Sequence, residues 1–217
     1  MLVRQIAAAA GAAAGRIVLL PGVQQTPEHF VAAGFDAAVL HRGLPLDVFI
    51  AVPALASLTD RRWIDTLRHE LIEPQRAAAP LLWLGGISLG AFMALRFAAD
   101  HAALLDGLCL IAPYLGSRIV AAEVARNGIQ AWRPSELPDA DDEYRIWRYV
   151  RDLGPPPPRL FLGLSRADRF ADTQRLLAQA VPASCRCEIE GPHEWPVWRE
   201  LWDNFLERWA RGDYAAA

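Results

Sequence analysis

At 217 residues the chain has room for one sizeable core, and the expectation is a single domain over residues 1–217. Its 22 basic and 25 acidic residues give a formal net charge of −3. No basic stripe recurs, so nucleic acid is excluded as an expected partner. No segment approaches the ~20 apolar residues of a membrane span, which leaves small molecules as the expected partners.

The opening MLVRQIAAAAGAAAG carries one early Arg but lacks the strong apolar core of a signal peptide. Three cysteines, Cys109, Cys185 and Cys187, are too few and too oddly placed for a disulfide framework, and they read as thiols of a reducing, cytoplasmic setting. RIVLLPG (16–22) is a continuously apolar strand closed by Pro-Gly. TPEHFVAAGFDAAVLHRG (26–43) follows as one helix, with Thr26 as its N-cap and Pro27 in its first turn.

DVFIAVPAL (47–55) is the second strand, and TDRRWIDTLRHELIEPQ (59–75) is an amphipathic helix with Trp63, Leu67 and Leu71 inward. LLWLGGISLGAFMALRF (81–97) reads as a third strand, a glycine turn and a helix, and GLCLIAP (107–113) as a fourth strand. An insertion over 114–158 breaks the rhythm with helices near 117–126 and 141–152, an acidic run DADDE and a Pro tract at 155–158. It is expected to form a lid or pocket wall. RLFLGLS (159–165) is a fifth strand, with a helix over about 172–181 after it. CRCEIEG (185–191) is a sixth that alternates as an edge strand does, and PVWRELWDNFLERWARG (196–212) is a closing helix with Trp198, Leu201, Trp202, Phe205 and Trp209 inward.

Apolar strands alternating with helices imply a doubly wound α/β fold, with about six mostly parallel strands and helices on both faces. Within it GISLG (86–90) matches G-x-S-x-G at a strand-to-helix turn. Such a turn holds a serine in strained backbone, and glycines two residues to either side let strand and helix approach. Ser88 is therefore the candidate nucleophile. A phosphate loop is excluded, because Ala91 and Phe92 stand where Lys-Ser/Thr would be needed.

A nucleophilic serine needs a base and an orienting acid. His29, His41, His69 and His101 fall on predicted helices, and His193 alone follows a strand, in EIEGPHEW. A zinc H-E-x-x-H reading fails at Val197 and Pro196, so no metal is expected. Asp168, just after the fifth strand, is preferred as the acid over Asp172, which is placed to begin a helix. Ser165 lacks the second glycine of the motif. Oxyanion donors are expected from the backbone N–H groups of Leu89 and Val23, with a side chain of Gln24 or Gln25 as a further donor or as solvated loop.

With Ser88, Asp168 and His193 in these positions, the chain resembles the α/β-hydrolase superfamily over about 16–212. It is most similar to the small bacterial serine esterases, whose Gly-His-x-Trp-like segment before a Trp-rich helix matches GPHEWPVWRELW. The resemblance implies a Ser-His-Asp acyl-transfer enzyme without a cofactor. Pro21-Gly22 replaces the usual His-Gly of the oxyanion loop, and the superfamily's first two strands are absent or reduced to the Ala-rich N-terminus.

The implied activity is carboxylic ester hydrolysis. A thioesterase or amide hydrolase would use the same residues, and a noncatalytic small-molecule-binding member of the fold is the alternative of another class. Tyr114, Leu115, Trp132, Trp147 and Trp195, with Gln24, are the candidate pocket residues. Helix core is the competing role for the aromatics. A pocket lined by them would favour neutral acyl and aryl esters over charged ones.

Overall fold

The computed structural model describes residues 1–8, 10–54, 61–134, 141–153 and 159–214. The Pro tract at 155–158 and the start of the acidic run therefore lie outside the described residues. In chain order the strands are β1 (Leu2–Ala7), β2 (Gly15–Leu20), β3 (Leu46–Val52), β4 (Leu82–Ile87), β5 (Gly107–Ile111), β6 (Arg159–Ser165) and β7 (Arg186–Ile189). Between them run α1 (Pro27–Ala32), α2 (Phe35–His41), α3 (Arg62–Leu67), α4 (Glu73–Ala78), α5 (Leu89–His101), α6 (Arg118–Asn127), α7 (Asp142–Arg151) and α8 (Ala171–Gln179). Last comes α9 (Trp195–Ala210).

All seven strands form one sheet in the order β1-β3-β2-β4-β5-β6-β7, parallel except for β1, which pairs antiparallel with β3. The doubly wound fold is as expected, with seven strands in place of about six. The extra one is the N-terminal LVRQIA, an edge strand that pairs only with β3 and whose apolar residues are interrupted by Arg4 and Gln5. From β2 the chain steps outward to β3, then crosses back to lay β4 on the other side of β2. The crevice of such a sheet opens at the carboxyl ends of these two strands.

Alternate residues of each parallel strand feed two cores. Val18, Leu20 and Leu84 pack with α3, α5, α7 and α8 on one face, while Ile17, Leu19 and Trp83 pack with α2 and α9 on the other. The inward stripe of α9 is the one its periodicity predicts, with Trp198, Leu201, Trp202, Phe205 and Trp209 all buried. Both helices of the insertion contribute to the first core through Val120, Val124, Ile146, Trp147 and Val150. Asp142 at the start of α7 is tied to the buried Arg96 of α5 at 2.7 Å.

Three elements depart from expectation. The expected single helix over 26–43 is two, because Gly34 adopts φ +77. The Arg199 guanidinium of α9 donates to the Ala33 and Gly34 carbonyls at that break, and a Cβ on Gly34 would lie 2.3 Å from it. The helix over Arg62–Ala78 contains a π turn at Arg68–Ile72, just before Pro74, whose ring and missing N–H cannot continue a regular ladder. Cys185 lies in a 3-10 turn ahead of β7 and packs on the first core, while Cys187 packs on the second.

Candidate active site

The turn GISLG joins β4 to α5 at the crevice, and Ser88 occupies it at φ 55, ψ −115. A non-glycine residue in this region carries about 1–3 kcal/mol of strain. Hydrogen bonds hold it there: its N–H donates to the Ile111 carbonyl at 3.0 Å, and its carbonyl accepts from Ala91, Phe92 and Tyr114. Ala112, at φ 45, turns the chain after β5 so that Tyr114 can reach it.

The two glycines are required by different neighbours. A Cβ on Gly86 would sit 2.3 Å from the Gly90 carbonyl carbon, whereas a Cβ on Gly90 would sit 1.9 Å from the Leu20 carbonyl oxygen at the end of β2. Gly90 thus lets α5 rest on the strand beside β4. Gly90→Ala is expected to destabilise the protein by about 3 kcal/mol or more in chemical denaturation, because backbone is what the methyl meets. Gly11→Ala, where nothing lies within 4 Å, should move the same midpoint little.

His193 and Asp168 arrive from the other side of the crevice. His193 Nε2 lies 2.9 Å from Ser88 Oγ, and its Nδ1 lies 2.6 Å from Asp168 Oδ2. The structure thus brings the three expected residues into one chain of hydrogen bonds, with the imidazole and carboxylate shielded from water. Asp172 stands apart, its carboxylate exposed and paired with Arg175 at 2.7 Å. Asp168 Oδ1 accepts from the Phe170 N–H at 2.8 Å. Burial pushes the Asp168 carboxyl up, but hydrogen bonds from His193, the Phe170 N–H and Gln174 outweigh it and hold it below the usual carboxylate range.

Several supporting residues were not singled out by the sequence. Phe170 and Trp198 meet the His193 ring edge-to-face from two directions, at 5.1 and 5.0 Å between centroids. Gln174, buried on α8, accepts from the Ser165 N–H and donates to the Pro113 carbonyl, linking the loops after β5 and β6. Ser165 is no nucleophile here; its hydroxyl donates to the Gly191 carbonyl and fastens the loop that carries His193 to the end of β6. Only the placement of Phe170 and Trp198, two and five residues beyond Asp168 and His193, hinted at any of this.

The expected donors lie at the same crevice. Leu89 opens α5, where an N–H has no partner one turn back. Among the described residues the Val23 N–H also has none. Gln25 is committed elsewhere: its Oε1 accepts from the Gly22 N–H at 2.7 Å and stiffens the loop. Gln24 is exposed at φ 59.

The residues expected to line a pocket divide. Tyr114 does line a cleft of about 540 Å³ beside the site, together with Phe170. Leu115, Trp132 and Trp147 do not. They are buried in the first core, Trp147 on α7, Leu115 just before α6 and Trp132 in the turn after it, and Trp132 Nε1 donates to Glu123. Trp195 packs against Phe30, Phe35 and Trp198 on the opposite flank. Among the described residues no group of three or more His, Cys, Asp or Glu could hold a metal ion, and no helix is long and apolar enough to cross a membrane.

No family model and no curated protein matches the sequence. Solved structures do resemble it. A ferulic acid esterase superposes with a TM-score of 0.61 at 12% identity, over 92% of this chain and 86% of that one. A structure described under two metagenome-derived lipolytic enzymes, LipS and LipT, gives 0.59 at 13% identity over 96% of each chain. S-formylglutathione hydrolase from Staphylococcus aureus gives 0.59 at 12% identity, over 90% of this chain and 81% of that one. At these identities the likeness is one of fold.

Proposed function

Given a chain with the α/β-hydrolase fold, we propose that it is a serine hydrolase cleaving carboxylic esters through an acyl-enzyme. The observation that carries this reading is the hydrogen-bonded series Ser88–His193–Asp168, at 2.9 and 2.6 Å, ending on a serine in a strained turn. In the proposed reaction His193 Nε2 takes the Ser88 proton as Oγ attacks the carbonyl carbon, then returns it to the leaving alcohol. Water attacks the acyl-enzyme in the same way, with His193 again the base. Asp168 holds Nδ1–H and stabilises the imidazolium without taking its proton. The N–H groups of Leu89 and Val23, aided by the positive end of α5, would receive the developing oxyanion.

A reducing, cytoplasmic setting belongs to the same proposal: Cys109, Cys185 and Cys187 are all unpaired, and two of them are only half-buried. A fluorophosphonate probe should label the wild-type protein at Ser88, and a panel of p-nitrophenyl esters should be turned over. An acyl-thioester and an anilide run beside them read the competing leaving groups. Preference for the thioester would move the reaction to thioester hydrolysis. Failure of both labelling and turnover would favour a noncatalytic binder.

A further inference from the structure

The cleft beside Ser88 is lined by both apolar and charged side chains. Tyr114, Ala121, Leu176 and Phe170 are among the apolar ones, and Phe170 also touches the candidate catalytic residues. Continuity with those residues is direct: the Tyr114 N–H donates to the Ser88 carbonyl, and the Phe170 ring packs on His193. Arg118, the first residue of α6, and Arg169, in the loop after β6, both line it too.

Neither guanidinium has a carboxylate partner among the described residues. Arg169 lies over the Phe170 ring at 4.8 Å, so one ring separates its charge from the imidazole of His193. One carboxylate, Asp172, also lines the cleft. Asp172 is paired with Arg175, and Glu143 accepts from the Ser117 N–H and hydroxyl at 2.8 and 2.7 Å. The two arginines of the lining thus outnumber its one carboxylate, Asp172, whose charge Arg175 offsets, and this excess of positive charge argues against the expected preference for neutral esters.

We propose that Arg118 and Arg169 select an ester carrying an anionic group, a carboxylate or phosphate, on the part of the substrate that fills this cleft. The inference rests on the serine hydrolase reading and names its substrate class. An apolar segment packs on Tyr114, Phe170 and Leu176 while the anion meets the two arginines, where a planar guanidinium can bind both oxygens at once.

Two matched pairs of substrates test it. Mono(p-nitrophenyl) adipate against its methyl ester places the charge on the acyl side; 4-acetoxybenzoate against methyl 4-acetoxybenzoate places it on the alcohol side. The expected result is a kcat/KM ratio of about tenfold or more in favour of the anion in one pair, falling as salt is raised. That ratio should drop about tenfold in Arg118→Gln or Arg169→Gln and recover in part in Arg169→Lys. Arg126→Gln, further along α6 and outside the cleft, should leave it unchanged. A ratio at or below one in both pairs, with neutral esters turned over and Ser88 labelled, overturns this inference and leaves the hydrolase reading standing. A preference that survives both glutamine substitutions also overturns it. Absence of labelling and of all turnover removes the reading itself and this inference with it.

Discussion

Replacing Ser88 with alanine should lower kcat on any ester the protein cleaves by about 10⁴–10⁶-fold while leaving the fold intact. The two effects separate because the turn is held by backbone. The Ser88 N–H and carbonyl make its four anchoring hydrogen bonds, to Ile111, Ala91, Phe92 and Tyr114, and alanine keeps them all. What alanine loses is Oγ, the atom 2.9 Å from His193 Nε2. Glycine should go further, since φ 55, ψ −115 strains any residue with a Cβ. Ser88→Gly is therefore expected to be as inactive as the alanine variant yet about 1 kcal/mol more stable than the wild type in denaturant. Substantial activity in either variant would remove Ser88 from the reaction. A loss of stability in both would mean that the serine is a structural residue of the turn.

The parts of this architecture that were legible are those governed by short-range rules. A strand, two spaced glycines and a helix state their own turn, and the continuous apolar runs of β2 through β6 state a sheet covered on both sides. His193 could be found because it alone among five histidines follows a strand, and crossover topology sends strand ends to one edge.

What escaped depends on partners distant in sequence. The break at Gly34 is made by Arg199, which no local pattern couples to it. Leu115, Trp132 and Trp147 were equally compatible with core and pocket until α6 and α7 were packed against the sheet. β1 is held by pairing with β3 alone, and Arg4 and Gln5 in its middle broke the apolar run that marks the other strands. The charge in the cleft was hidden for the same reason: Arg118 begins α6 and Arg169 lies in the loop after β6, far apart in sequence, and composition shows only a balanced chain.

Asp168→Asn is expected to cost about 10⁴-fold in turnover, and Asp172→Asn less than tenfold. The carboxylate of Asp168 accepts from the Phe170 N–H at Oδ1 and, in a different direction, from His193 Nδ1 at Oδ2, with Gln174 as a further donor. An asparagine has one oxygen to offer. The backbone N–H of Phe170 cannot change its role, so the amide oxygen stays with it and the NH₂ turns toward His193. Nδ1 must then accept a hydrogen bond, which moves the imidazole proton to Nε2. In that tautomer the ring donates to Ser88 Oγ and can no longer take its proton. The charge also matters on the acid side. Because Asp168 titrates below the usual range, it remains ionised at pH values where ordinary carboxylates are half protonated, and its stabilising contribution is lost only as pH falls below that. Asp172 has no such neighbours: its side chain is 96% exposed and its one ion pair is with Arg175 at the surface. Rates of p-nitrophenyl ester hydrolysis for the two variants, measured between pH 5 and 9, decide the matter. The opposite ranking would hand the orienting role to Asp172 and require the loop after β6 to rearrange when substrate binds.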